Sequence, residues 1–176
     1  MAQSIDQQMN QLNRKIDRMV NQETKRASSA ALNKTAAKIK TKVVREVAQA
    51  TRLPAKHIRK RVYIKRSKAR TQFARVTAYR RDITLNSLKP RQLKKGFSAV
   101  GRKYPSAFRA SGKSGREQIF QRKTQARYPI EVVKVPISHH VDRITPKVAL
   151  QIMKSEYPRL LKHEMEYRTK KLSGTL

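Results

Sequence analysis

Residues 107–115 read AFRASGKSG. A glycine-lysine-serine ending behind a small residue is the pattern by which a phosphate loop holds a nucleotide. Backbone amides cradle the phosphates, the lysine reaches the outer ones, and the serine hydroxyl binds the metal. That chemistry needs a buried strand before the loop and a helix after it, whose N-terminus faces the phosphates. The sequence offers neither. The preceding residues are VGRKYPS, Ala107 stands where the strict pattern has glycine, and GREQIFQRK downstream alternates like a strand. Phe108, Arg109 and Ala110 are poor at letting amides curl round an anion, and no apolar run ends in an aspartate to hold magnesium. The stretch reads as a basic turn.

Other reactive groupings are equally thin. The chain has no cysteine, which excludes disulfides and thiolate metal sites. Its four histidines, at 57, 139, 140 and 163, lack the spacing of a zinc site and read as surface or interface residues. The acids stand singly, apart from Glu164 and Glu166, which point to different sides of a helix. No carboxylate pair for acid–base work and no serine with a base partner can be assembled. No catalytic residue, metal or cofactor is expected, and the chain does not read as an enzyme.

Charge is the dominant feature. Across 176 residues, 43 Lys+Arg face 11 Asp+Glu, a formal net charge of +32. The surplus is concentrated in the middle: residues 34–127 hold 29 Lys+Arg against Glu46, Asp82 and Glu117, while 1–23 are balanced. Such an excess repels itself unless a polyanion or an acidic partner compensates it, and nucleic acid is the usual answer. The candidate contacts are Lys56, Arg59, Lys60 and Arg61 in AKHIRKR, then Lys65, Arg66, Lys68 and Arg70. Arg80 and Arg81 follow, with Lys94, Lys95, Arg102 and Lys103 further on. Aromatic residues make up only 6% of the chain. Stacking platforms need such rings, so the cations point to phosphate contacts on a duplex, independent of sequence. An alternative lies in 43–64, where helix, short turn and a helix ending in Arg59-Lys60-Arg61 resemble a sequence-specific helix-turn-helix. Against it, Arg52 and Leu53 fill a turn where such units often place glycine.

The elements that must position these residues follow from periodicity. Ile5, Met9, Leu12, Ile16 and Met19 form the stripe of an amphipathic helix. A second helical run spans about 24 to 50, with Ile39, Val43, Val44 and Val47 on its apolar side, and Pro54 suits the first turn of a third, to about Arg61. VYIKR (62–66), QFARVTAY (72–79), ITL (83–85), EQIFQ (117–121) and IEVVKVPI (130–137) read as strands, the last apolar enough for a central position. Residues 89–115 read as a long, mobile basic loop, with room for a short hairpin. Leu150, Met153, Leu160, Leu161 and Met165 mark a final helix over about 138–170, which Pro146 and Pro158 start or bend, and a short tail to 176. The expectation is one α+β domain over 1–176, helical over 1–61 and then an antiparallel sheet over 62–137. The N-terminus has no apolar core like that of a signal peptide, and no stretch approaches a membrane span.

RYPIEVVKVPI (127–137), with the upstream AFRASGK…IFQRK and NKTAAKIKTKVVREVAQAT…LPAKHIRKRV, resembles the minor tail protein Z family of long-tailed bacteriophages. The likeness covers about 25–170, and the first 24 residues carry no family signature. It implies a structural virion protein, made in the host cytoplasm and placed at the head-proximal end of the tail, where the tail is completed and joined to the head. Its partners would be phage tail and neck proteins, phage double-stranded DNA and copies of itself in a ring, commonly of six, with no membrane and no catalysis. The basic residues would then meet the DNA in the channel, while Ile5, Met9, Leu12 and Ile16, together with Tyr128, Ile130 and Val132, would build subunit contacts. Six copies at +32 each would need more than about 300 Å of duplex for balance, at one phosphate per about 1.7 Å. Much of the charge must therefore meet acidic neighbours or counterions.

Overall fold

A computed structural model describes residues 5–112, 115–124 and 126–172. The chain is α+β, with a long N-terminal helix, short strands through the middle and two helices at the C-terminal end. It resolves into two compact units. One holds the chain up to Val43, Val62–Thr77 and the chain from Pro146; the other holds Val44–Arg61 and Ala78–Thr145.

α1 runs unbroken over Ile5–Thr51, where sequence periodicity placed two helices meeting near residue 24. Asn21 to Thr24 has the look of a cap, yet the segment contains neither Gly nor Pro to break the helix. Thr24 spends its hydroxyl as a donor to the carbonyl of Val20, one turn back, rather than capping a new helix. The end of α1 is well defined. Arg52 turns left-handed at φ 58°, and the amides of Arg52 and Leu53 donate back to the carbonyls of Gln49 and Ala48. This is the Schellman termination, here with arginine at the position that favours glycine. Pro54 then leads into α2, Ala55–Arg59.

In the first unit, Ala27, Ala31 and Thr35 on α1 are buried at one-turn spacing, small enough for other elements to approach closely. α3 (Ser138–Ser155) and α4 (Tyr157–Leu172) replace the single C-terminal helix expected, with the break at Glu156 just before Pro158. Charge ties these helices to α1. Arg168 donates to Glu23 at 2.6 Å, Lys34 and Lys38 pair with Glu164 and Glu156, and Lys42 donates to Gln151. The partners rise along one helix as they fall along the other, so the segments run antiparallel. Arg168 first, helped by Arg26, holds the Glu23 carboxyl below its usual range, and Lys38 does the same for Glu156. β1 (Val62–Lys65) and β2 (Arg75–Ala78) pair as a two-stranded sheet.

In the second unit the strands form three small sheets rather than one. β3 (Ile83–Thr84) runs into a 3₁₀ turn at Leu85–Leu88 and pairs with β10 (Lys134–Val135). β4 (Arg91–Gln92), β5 (Phe97–Ala99) and β6 (Arg102–Tyr104) form a meander. β7 (Phe108–Ser111), β8 (Glu117–Arg122) and β9 (Ile130–Val132) form the third sheet. Residues 89–115 thus hold strands where a loop was expected. Phe97, Ala99 and Ala107 are buried anchors. Gly96 is obligatory, because any Cβ there would strike the Tyr104 carbonyl oxygen at 2.1 Å, and its φ is +90°. IEVVKVPI does not form one central strand. It divides at Val133, with β9 at the edge of one sheet and β10 in another.

Candidate nucleic-acid and subunit interface

The phosphate-loop pattern is settled by its surroundings. Ala107 precedes an antiparallel strand, β7, whose residues Phe108 to Ser111 register against Phe120 to Glu117 of β8. The Gly112 amide donates to the Arg116 carbonyl, and the Gly115 amide to that of Gly112. This is the turn of a hairpin, with a strand where nucleotide binding needs a helix. Lys113 and Ser114 lie outside the described residues.

The proposed helix-turn-helix meets a similar obstacle. α2 is five residues long, and β1 begins at Val62. A recognition helix must expose several successive side chains along a groove, and here a short basic helix leads directly into a strand.

Of the fourteen candidate phosphate contacts, all but Arg61 are exposed. Arg61 is half-buried and acts as a clip. Its Nε donates to the Arg81 carbonyl at 2.8 Å, and its two Nη atoms donate to the carbonyls of Asp82 and His57. Arg80 is committed to Asp142 at 2.6 Å. The other twelve have no acidic partner among the described residues. The reason lies in the placement of the acids. Residues 47–81 hold 12 Lys+Arg and no Asp or Glu. Three of the eleven acids, Glu23, Glu156 and Glu164, face α1 or its partner helix instead.

His57 registers this environment. Partial burial first, then the neighbouring Lys56, Lys60 and Arg61, push its pKa below the ordinary histidine range. The imidazole is thus neutral near pH 7, within a cluster that attracts anions. His139 and His140 lie together at the start of α3, and His163 is exposed on α4.

Four of the candidate subunit contacts, Met9, Leu12, Ile16 and Tyr128, are exposed. Met9, Leu12 and Ile16 on α1 are 53%, 50% and 44% exposed; the side chain of Ile5 lies outside the described residues. Tyr128 is 64% exposed, while Ile130 and Val132 are half-buried on the edge strand β9. Beside that edge opens a cleft of about 770 Å³, lined by Asp82, Tyr104, Arg122, Lys123, Glu131 and neighbours. Its acids are occupied: Asp82 accepts from the Ile137 amide, and Glu131 pairs with Lys123 at 2.6 Å. Neither is placed as a free acid or base.

Three things escaped sequence reading. The clip of Arg61 and the pairing of Arg80 are long-range, with no local signal. The cation–π stacks of Arg75 on Phe73, Arg109 on Phe97 and Arg122 on Phe108 were legible only in part, as cations near aromatic residues. The exposure of Tyr63 and Phe73 had no signature at all.

Comparison with known proteins bears on all of this. Residues 3–172 match the family described as prophage minor tail protein Z (GPZ). A protein of Escherichia phage N15 named "Tail completion protein" is 28% identical over 152 residues, covering 80% of this chain and 78% of that protein. No solved structure matches.

Proposed function

The chain belongs to the prophage minor tail protein Z family, and from that premise we propose that it completes the phage tail at its head-proximal end. There it takes part in joining tail to head and meets the DNA in the channel through its basic residues. The N15 relative's name supports the completion role. The role is structural, exercised in the virion on tail and neck proteins, and no step of it requires catalysis.

One observation carries the DNA contact: twelve exposed cations, eight of them in the acid-free stretch 47–81, none with an acidic partner among the described residues. Surface cations held to fold a protein are normally interspersed with acids, because like charges raise the energy of the folded state. These must be balanced from outside. Copies of the chain arranged as a ring, most simply a hexamer, would bring them around one axis. The uncovered stripe on α1 and the edge at β9 would supply the subunit contacts.

Binding of the purified protein to duplex DNA over a salt series tests the reading. Affinity is expected to be independent of sequence, with the log affinity falling by about 0.9 per phosphate contacted for each log of salt. A flat dependence, or no binding at low salt, would remove the DNA contact and leave a pure assembly adaptor. A strong preference for one duplex over random competitors would instead favour sequence-specific recognition through 43–64.

A further inference from the structure

The hairpin from Val62 to Thr77 carries Lys65, Arg66, Lys68, Arg70 and Arg75 and no acid. None of these five has an acidic partner among the described residues. Among them stand two rings left half in water: Tyr63 is 54% exposed and Phe73 50%. On β1, Tyr63 and Lys65 share the outer face, while Val62 is buried on the other. The Arg75 guanidinium lies 5.3 Å from the Phe73 ring centre, holding the ring among the cations.

The connecting loop is pinned. Asn33 of α1 accepts from the Ser67 amide at 2.7 Å and donates to the Ser67 carbonyl at 3.0 Å. The Lys68 amide donates to Thr71 Oγ1, and the Gln72 amide to the Lys68 carbonyl. Groups fixed in this way lose little freedom on binding.

A solvated basic face has no use for exposed rings. A duplex would satisfy the cations but keeps its base faces inside the stack. A protein surface would satisfy the rings, but protein interfaces are depleted of lysine, and here Lys65 and Lys68 stand in the same hairpin as the rings. An unpaired strand offers what both features take: phosphates for the cations and open base faces for the rings. We propose that the exposed rings of this hairpin, Tyr63 on β1 and Phe73 in the loop before β2, stack on unpaired nucleobases, so that the chain holds single-stranded nucleic acid, such as an unpaired duplex end, by more than phosphate contact. This rests on the DNA contact proposed above and names the form of nucleic acid that this part of it takes.

The test uses the full chain with a mixed-sequence single strand of about 20 nucleotides and the blunt duplex of the same sequence, at matched salt. Combined Tyr63→Ala and Phe73→Ala should lower single-strand affinity about tenfold or more and leave duplex affinity within about twofold. Tyr63→Phe should retain single-strand binding. Phe73→Trp introduces the chain's only tryptophan; its emission should be quenched by the single strand and unchanged by the duplex. Equal losses on both nucleic acids, no loss on either, or an unquenched tryptophan would overturn the proposal. So would a double variant that keeps both affinities but loses an acidic protein partner. If the wild type binds duplex and not single strand, this proposal fails alone; if it binds neither at low salt, the DNA contact itself fails.

Discussion

At the scale of single residues, charge type does not predict role. Arg59 and Arg61 look alike in the sequence, yet Arg59 is exposed, while Arg61 donates to three backbone carbonyls. Truncating Arg61 leaves those acceptors short of a charged donor, so Arg61→Ala should destabilise the fold by about 2 kcal/mol. Arg59→Ala should stay within about 0.5 kcal/mol. Chemical denaturation of both variants checks the contrast, and equal effects would contradict the clip. His57 supplies a pH dependence whose sign is fixed. Its folded pKa lies below the unfolded value, so as pH falls below about 6.5 the unfolded chain takes up the proton first. Stability present above that pH is then lost progressively until the folded imidazole also protonates. His57→Gln should remove this part of the slope, measured as the change in denaturation midpoint from pH 7.5 to 5.5.

At the scale of elements, what was legible was what has local cause. The strands near 62, 75, 83, 117 and 130 carry β-branched and aromatic residues, and the stop at Thr51 is followed by Pro54. The join expected near residue 24 failed because the apolar stripe lapses over residues 21–26, yet no Gly or Pro there breaks the helix. The strands inside 89–115 are two to four residues long, too short to show a period. The division at Val133 was invisible because both halves are equally apolar, and only pairing with β8 on one side and β3 on the other separates them. The uncovered stripe on α1 was legible as a stripe, but not as uncovered. It yields a direct prediction. Leu12→Gln with Ile16→Gln keeps good helix formers on an exposed face, so stability should change by less than about 0.5 kcal/mol. Self-association, read by sedimentation with tail partners present, should be lost. A variant that assembles normally would show that the ring is built elsewhere.

At the scale of the whole molecule, the placement of the acids decides which cations are paired. Glu164 of α4 and Glu156 at the break before it face α1 and pair with its Lys34 and Lys38. The stretch 47–81 has no acid; Arg61 is held by backbone carbonyls and Arg80 by Asp142, and its other ten cations have no acidic partner among the described residues. Membership in the minor tail protein Z family makes the chain a phage tail protein. Folding alone would have been served better by interspersed charge. The most direct measurement is a density map of the assembled, DNA-filled particle, resolved well enough to trace side chains at the tail's upper end. The account predicts that Lys56, Arg59, Lys65, Arg66 and Arg102 point at the genome or at acidic neighbouring subunits. Finding these side chains turned outward into bulk solvent, away from both, would contradict it.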